Sequence, residues 1–414
     1  MLQKTHESSG HRDGCEEMVS KYSIQPGISW GALPQQLRRK WKDDDCDAHY
    51  HVLGETNFHG SQHSKVEFSR IDDGSLYKCK ILLFDNIKGY LNWNQKWFVK
   101  AVLHKCKQPC TITDDKKLGS DANVIIFHAP THKKIMTPPR GAKRNSLKIL
   151  VSLEQGEYAP LLMDHAYLKS NFDATMTYSM NKSYASTGID NVPLTYFPLE
   201  LFSPQDILKP EVSFRQKTGF DSNVSLVAMI SNCHNGGATS RTEYLLELQK
   251  HFPTHFYGKC LNNRQLPKTP PDSSLPPTQQ RKAQKLFVFK HYKFCIAFEN
   301  LQEEDYVTEK VFEALLAGCV PVYRGSATIE NFMPSSDSFI NANNLSPIQL
   351  AKKLMYLSHS ESDYHKFFHF KNRTGESNIL RSFSKMALKS YTHPNVLCRI
   401  GTYVNRKFKM SNNH

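Results

Sequence analysis

Apolar residues in this chain come in short runs separated by helix-like patterns, and the alternation reads as architecture. The runs KILLF at 80–84 and ANVIIFH at 122–128 bracket a helix-like stretch around Trp97–His104. A buried strand, a helix and a second buried strand form the repeating unit of a parallel α/β sheet. The same grammar restarts at Leu147–Leu153 (LKILVSL) and again at Ser225–Ser231 (SLVAMIS). It continues with a predicted helix over Ser240–Lys250, strands THFYG at 254–258 and KFCIAF at 293–298, a helix over Val307–Ala317 and a strand CVPVY at 319–323. Two successive α/β blocks follow, joined through Pro193–Phe220 with a boundary near residue 210. Within the second block, PKTPPDSSLPPTQQRK at 267–282 puts five prolines in its first eleven residues and predicts an exposed loop, because proline neither donates to a sheet ladder nor fits a helix interior. Beyond it, Leu350, Leu354 and Leu357 recur at helical spacing over Ser346–Leu357. Residues 1–75 are rich in Ser, His, Asp and Gly without periodicity and read as a poorly ordered leader or stem. The expected division is a leader at 1–75, one α/β domain at 76–210, a second at 211–385 and a tail at 386–414.

At 414 residues the chain has room for two such cores. Its longest apolar runs, Leu226–Ile230 and Phe294–Phe298, are five residues long, against about 18–20 for a membrane-spanning helix, so no span is expected. The first thirty residues lack the apolar segment of a signal peptide. A balance of 53 basic to 39 acidic residues gives +14, which suits a polyanionic partner such as a phosphorylated small molecule. A nucleic-acid partner is not expected, because only short basic clusters occur, at Arg38–Lys42 and Lys133–Arg144. Among ten cysteines, Cys106 and Cys110 lie four apart, but no second pair completes a zinc site. No strand-anchored D-x-D stands out either, and no metal is expected. Sequons at Asn181, Asn223, Asn344 and Asn372 favour a lumenal or extracellular setting. The chain has no GxxxxGK[ST], no GxGxxG after a strand and no G-x-S-x-G, which argues against P-loop enzymes, dinucleotide enzymes and serine hydrolases.

Chemistry concentrates in Phe298–Val322, FENLQEEDYVTEKVFEALLAGCVPV. Glu299 and Asn300 sit where a predicted strand ends, the edge at which open parallel sheets bind ligands. Thr308-Glu309-Lys310 then opens an amphipathic helix, whose amino terminus offers free N–H groups and partial positive charge. Lys310 opposes that dipole, and an anion shared between Lys310 and the helix end would account for it; Glu309 could accept from ribose hydroxyls. A capping box with solvated charges is the plainer alternative for the same residues. Ser231 and Asn232 end another strand and precede Arg241 on the next helix. Arginine grips a diphosphate with two donors at once, although an exposed helix arginine is the commoner role. Glu154 follows LKILVSL, where a carboxylate at a cleft could serve as general base.

The segment resembles the α-1,3-fucosyltransferase signature of glycosyltransferase family 10, in which F-E-N, D-Y-[IV]-T-E-K and G-x-V-P-V recur in this order. Flanking pieces agree: SDANVIIFH resembles the family's A-D-A-V-[IV]-F-H strand, LVSLEQGEYAP the segment around its catalytic glutamate, and ISNCHNGGATSRTEYLLEL with HFYGKC its S-N…R block and Y-G strand. PSSDSFINANN follows the signature, and the resemblance covers about residues 77–400. It implies an α/β fold of GT-B type, two Rossmann-like domains with mostly parallel sheets facing a central cleft. The implied donor is GDP-β-L-fucose, passed with inversion to a GlcNAc-containing glycan, N-glycan core or Lewis type, in α-1,3 linkage. Arg241 and Lys310 would then neutralise the diphosphate, Glu309 would hold the ribose, Ser231, Asn232, Asn300 and Tyr306 would complete the donor contacts, and Glu154 would deprotonate the acceptor. No cofactor is required in such a mechanism, with Mn²⁺ or Mg²⁺ at most stimulatory. The resemblance also implies a Cys233–Cys260 disulfide, residence in the Golgi lumen and a membrane anchor, which this chain does not show.

The chain departs from the family in two places. The usual E-S-P around the base is Glu154-Gln155-Gly156, and the closing C-x-x-C is replaced by Cys398 followed by Arg399-Ile400-Gly401. Acceptor choice is expected to lie in Thr131–Asn145 and Asn181–Asn191. A protein O-fucosyltransferase and a catalytically silent glycan-binding relative are the competing expectations.

Overall fold

The computed structural model describes residues 79–83, 110–132, 145–181, 187–197, 203–220, 222–234, 237–267, 277–371, 376–391, 393 and 395–411. The leader at 1–75, the helix expected around Trp97–His104, Cys106, Lys133–Arg144 and Asn372 lie outside them.

Strands β1 (Cys79–Leu83), β2 (Cys110–Thr113), β3 (Val124–His128), β4 (Leu147–Val151), β5 (Ala174–Met176) and β6 (Asp190–Asn191) form one parallel sheet in the order β2-β1-β3-β4-β5-β6. Successive side chains leave opposite faces of a strand. Ile81, Val124, Ile126, Ile149 and Val151 therefore enter one core, while Leu82, Ile125, Phe127 and Leu150 enter another with Leu168 of α1 (His165–Asn171). Burial on both faces is why these strands read as unbroken apolar runs.

The second sheet is also parallel. Its strands β7 (Leu226–Ile230), β8 (Thr254–Gly258), β9 (Phe294–Phe298), β10 (Val320–Arg324) and β11 (Ile340–Asn341) run in the order β11-β10-β9-β7-β8. Between and after them come α2 (Ala238–His251), α3 (Pro277–Phe289), α4 (Glu309–Leu316) and α5 (Pro347–His359). Leu245 and Leu248 of α2 with Leu350, Leu354 and Leu357 of α5 cover Leu226, Phe294, Ile296 and Val320. On the other face, Val288 and Phe289 of α3 and Ala314 of α4 pack against Val227 and Cys295. In each sheet the strand order reverses, between β1 and β3 and between β7 and β9, and the crevice at the carboxyl ends of such a pair is the ligand site of open α/β sheets. The two-sheet α/β architecture is the one expected.

Two stretches differ from the sequence-based expectation. Helix α3 begins at Pro277, inside the region expected as loop. Proline is tolerated there because the first turn leaves its N–H unpaired and its fixed φ suits a helix start. The chain continues through α6 (Glu361–Lys366) and α7 (Glu376–Lys389) to α8 (Asn395–Ser411). Residues 386–414, set apart as a tail, thus hold the end of α7 and all of α8, which places Val396, Leu397, Ile400, Tyr403 and Val404 in the core of the first sheet. The second domain is finished by a return to the first.

Cys233 and Cys260 are joined, Cα to Cα 5.5 Å, tying the loops that follow β7 and β8. A second bridge, Cys295–Cys319, lies buried between β9 and the residue before β10 and was not anticipated. Cys398 is disulfide-bonded as well. Lys217 is buried and donates to the carbonyls of Lys290 at 3.1 Å, Tyr292 at 3.2 Å and Gly318 at 2.8 Å. Among the described residues no helix is long and apolar enough to cross a membrane.

Candidate functional site

A cavity of about 530 Å³ opens at the carboxyl edges of the two sheets, with Leu153, Glu154 and Tyr196 on one wall and Ser231, Gly258 and Glu309 on the other. Arg241 lies beside the second wall, bonded to the carbonyl of Asn232, the neighbour of Ser231. This side chain, on α2, is only 2% exposed, so it is not the solvated helix arginine that the sequence also allowed. One terminal nitrogen donates to Asn300 Oδ1 at 2.5 Å and to the carbonyl of Phe298 at 3.3 Å; the other donates to the carbonyl of Asn232 at 2.5 Å. Its Nε is buried without a partner. Gly237 permits the approach: a Cβ there would lie 2.2 Å from the carbonyl oxygen of Asn300. Burial draws the guanidinium pKa below its ordinary value, against the opposing pull of Glu299.

Glu299 explains what Lys310 is doing in the first turn of α4. Its buried carboxylate accepts from the backbone N–H of Thr308 at 2.8 Å, from the Thr308 hydroxyl at 2.8 Å and from Lys310 Nζ at 3.0 Å. Lys310 also donates to Thr308 Oγ1 at 2.6 Å and faces Glu309 at 3.5 Å. Burial opposes the Lys310 charge, but Glu299 and Glu309 outweigh it and raise the ammonium pKa. Burial likewise works against ionisation of Glu309, and Lys310 with Lys285 and Lys282 prevails, holding that carboxyl at about 2. The capping-box alternative is not realised, since Thr308 at the N-cap makes no side-chain capping bond.

Across the cavity, the Tyr306 hydroxyl donates to Glu154 Oε2 at 3.3 Å. Asp305 aims it there. Its φ of 61° is left-handed, a region that aspartate enters more readily than most residues. Its carboxylate accepts from Thr328 Oγ1 at 2.8 Å and from the backbone N–H of Met180, in the first domain, at 2.8 Å. The Tyr306 ring meets Tyr178 edge-on at 4.9 Å and Tyr196 at 6.2 Å. Tyr178 donates to Glu303, Tyr196 to the carbonyl of Leu153, and Asn232 Nδ2 to the Tyr158 hydroxyl at 2.5 Å. Burial pushes the Tyr306 pKa far up, so this hydroxyl stays a proton donor.

Residues 221–413, almost all of the second wall included, match the family model described as glycosyltransferase family 10 (fucosyltransferase), C-terminal. Over these residues, a little under half of its length, the chain is similar to glycosyltransferase family 10. It is 32% identical over 249 residues to a fucosyltransferase-like protein of Arabidopsis thaliana, covering 60% of this chain and 42% of that protein. It is 29% identical over 285 residues to alpha-(1,3)-fucosyltransferase B of Drosophila melanogaster, covering 67% and 59%. With GDP-fucose protein O-fucosyltransferase 3 of Gallus gallus it shares 31% over 209 residues, covering 50% and 41%. The chain spans about half the length of the curated relatives it matches.

Arg241, Asn300, Tyr306, Glu309 and Lys310 fall inside the matched residues, and Glu154 falls outside them. Gln155, at the departure from E-S-P, is fully buried and its side-chain amide has no partner. The disulfide Cys233–Cys260 braces the loop carrying Ser231 and Asn232. Sequon residues Asn181, Asn223 and Asn344 are exposed. Among the described residues no group of three His, Cys, Asp or Glu side chains is placed to hold a metal ion. Sequence reasoning missed Tyr158, Tyr178 and Tyr196, along with Arg281, Lys282 and Lys285 of α3 on the cavity rim. Tyr158 and Tyr178 meet the site through bonds to Asn232 and Glu303 of the second domain, and α3 was hidden behind the prolines.

Proposed function

We propose that this chain transfers L-fucose from GDP-fucose to an acceptor hydroxyl with inversion, Glu154 acting as general base. The observation that carries the reading is that Glu154 shares one cavity with Ser231 and Glu309, beside which Arg241 bonds to the carbonyl of Asn232 and Lys310 faces Glu309. The acceptor oxygen attacks C1 of fucose while its proton passes to Glu154, whose other oxygen is held by Tyr306. The C1–oxygen bond to the diphosphate breaks on the opposite side. Negative charge then develops on departing GDP, where Arg241, Lys310 and the amino terminus of α4 can stabilise it. Glu309 is assigned to the ribose, and Ser231, Asn232 and Asn300 to the remaining donor contacts. The match of residues 221–413 to a fucosyltransferase family model and the name of the chicken relative support GDP-fucose as donor.

For the acceptor, our reading is a GlcNAc-containing glycan with α-1,3 linkage, supported by the name of the Drosophila relative. A protein hydroxyl is the second reading, favoured by the name of the chicken relative. Exposed sequons and disulfides suit the oxidising Golgi lumen. The test is fucose transfer from GDP-fucose to a panel of N-glycans, LacNAc and folded glycoprotein domains, with products sequenced by mass spectrometry. Fucose on GlcNAc supports the first reading, fucose on serine or threonine the second, and GDP-fucose left intact by every acceptor contradicts both.

A further inference from the structure

The proposed donor site is short of positive charge on the residues assigned to it. Lys310 is met by two carboxylates, Glu299 at 3.0 Å and Glu309 at 3.5 Å, so the three together are negative and Arg241 only restores neutrality. A nucleotide sugar brings a diphosphate with two charges, and its cleavage leaves more on GDP. Further cations line the same cavity from α3. Lys285 is engaged by Glu313 at 2.5 Å, and Glu313 is buried. Lys282 contributes to the field that keeps Glu309 ionised. Arg281 differs from both: it is exposed, lines the cavity and makes no ion pair with a described residue.

We propose that Arg281 is a donor-binding residue whose guanidinium closes over the diphosphate from the rim of the cavity, supplying charge that Arg241 and Lys310 cannot. The inference rests on the GDP-fucose reading above. Arginine suits the task because its planar fork binds phosphate oxygens in pairs and is weakly hydrated. Its exposure makes it available to enter with the ligand, and it places the effect in a partly screened range.

Calorimetric titration of the full chain with GDP and with guanosine, for wild type and Arg281→Ala, Arg281→Lys and Arg281→Glu, decides the matter. For Arg281→Ala the GDP Kd should rise about five- to tenfold, as for a screened charge-assisted contact, while guanosine affinity stays within about twofold. Arg281→Glu should weaken GDP further, Arg281→Lys should retain most of the affinity, and the loss of GDP binding with added salt should be shallower in Arg281→Ala than in wild type. A GDP Kd unchanged in Arg281→Ala, or an equal loss for guanosine, overturns the inference while leaving the donor reading in place. A wild-type chain that binds no GDP overturns both.

Discussion

Replacing Glu299 by glutamine tests how the amino terminus of α4 is held. The substitution keeps the shape and removes the charge. Glu299 has no exposed side-chain surface and accepts from the backbone and hydroxyl of Thr308 and from Lys310. A glutamine can offer its oxygen to Thr308 only by turning its NH₂ toward the Lys310 ammonium. Removing one partner of a buried ion pair costs about 3–5 kcal/mol. Lys310 is 23% exposed and keeps Glu309 at 3.5 Å, which should reduce the loss to about 2–3 kcal/mol. For a domain of this size that lowers Tm by roughly 5–10 °C. Glu309→Gln provides the contrast, because Glu309 is 35% exposed, and the weaker pair should contribute less than about 1 kcal/mol. Differential scanning calorimetry of both variants near neutral pH is the assay. A Tm for Glu299→Gln within about 2 °C of wild type, or equal shifts for the two variants, would refute the role assigned to the buried carboxylate.

Other consequences can be measured separately. Tyr306→Phe removes the hydroxyl held on Glu154 and should lower kcat about tenfold, the worth of one hydrogen bond, with GDP Kd changed less than twofold; equal changes in both would show that Tyr306 acts through the donor instead. Breaking Cys233–Cys260 with Cys233→Ser and Cys260→Ser together should cost about 3 kcal/mol, read from urea midpoints, and non-reducing peptide maps that find both thiols alkylated would contradict the bridge. Burial lowers the Lys217 pKa to about 7 in the folded chain, whereas the unfolded chain keeps that proton to about 10.4. Between those values the unfolded state binds more protons, so this residue makes stability rise as pH climbs from about 7 toward 10. The rise should shrink in Lys217→Met when urea midpoints are compared across that window, and identical profiles would count against it.

The sheet strands were legible because each is a short apolar run buried on both faces: THFYG is β8 as read, and FCIAF is β9 within one residue of the reading. Strand ends also located Ser231, Asn232, Glu299, Asn300 and Glu154 at the carboxyl edges, since strand direction fixes which end faces the crevice. Partnership was harder to read. Nothing local says that Glu299 reaches Lys310 across the start of α4, or that Tyr306 crosses to Glu154, 152 positions away. Prolines concealed α3 because the same residue that breaks a helix interior is welcome at its start. Helix α8 resembled a tail because its apolar face, Val396, Leu397, Ile400, Tyr403 and Val404, is matched by strands that begin more than three hundred residues earlier.

The most direct measurement is GDP release from GDP-fucose by the wild-type chain and by Glu154→Gln, each with and without acceptor, beside GDP binding by both. Acceptor-dependent release in wild type, a fall of about a hundredfold or more in Glu154→Gln, as for loss of a general base, and unchanged GDP affinity are the predicted result. Turnover in Glu154→Gln equal to wild type would contradict the central claim that Glu154 takes the acceptor proton.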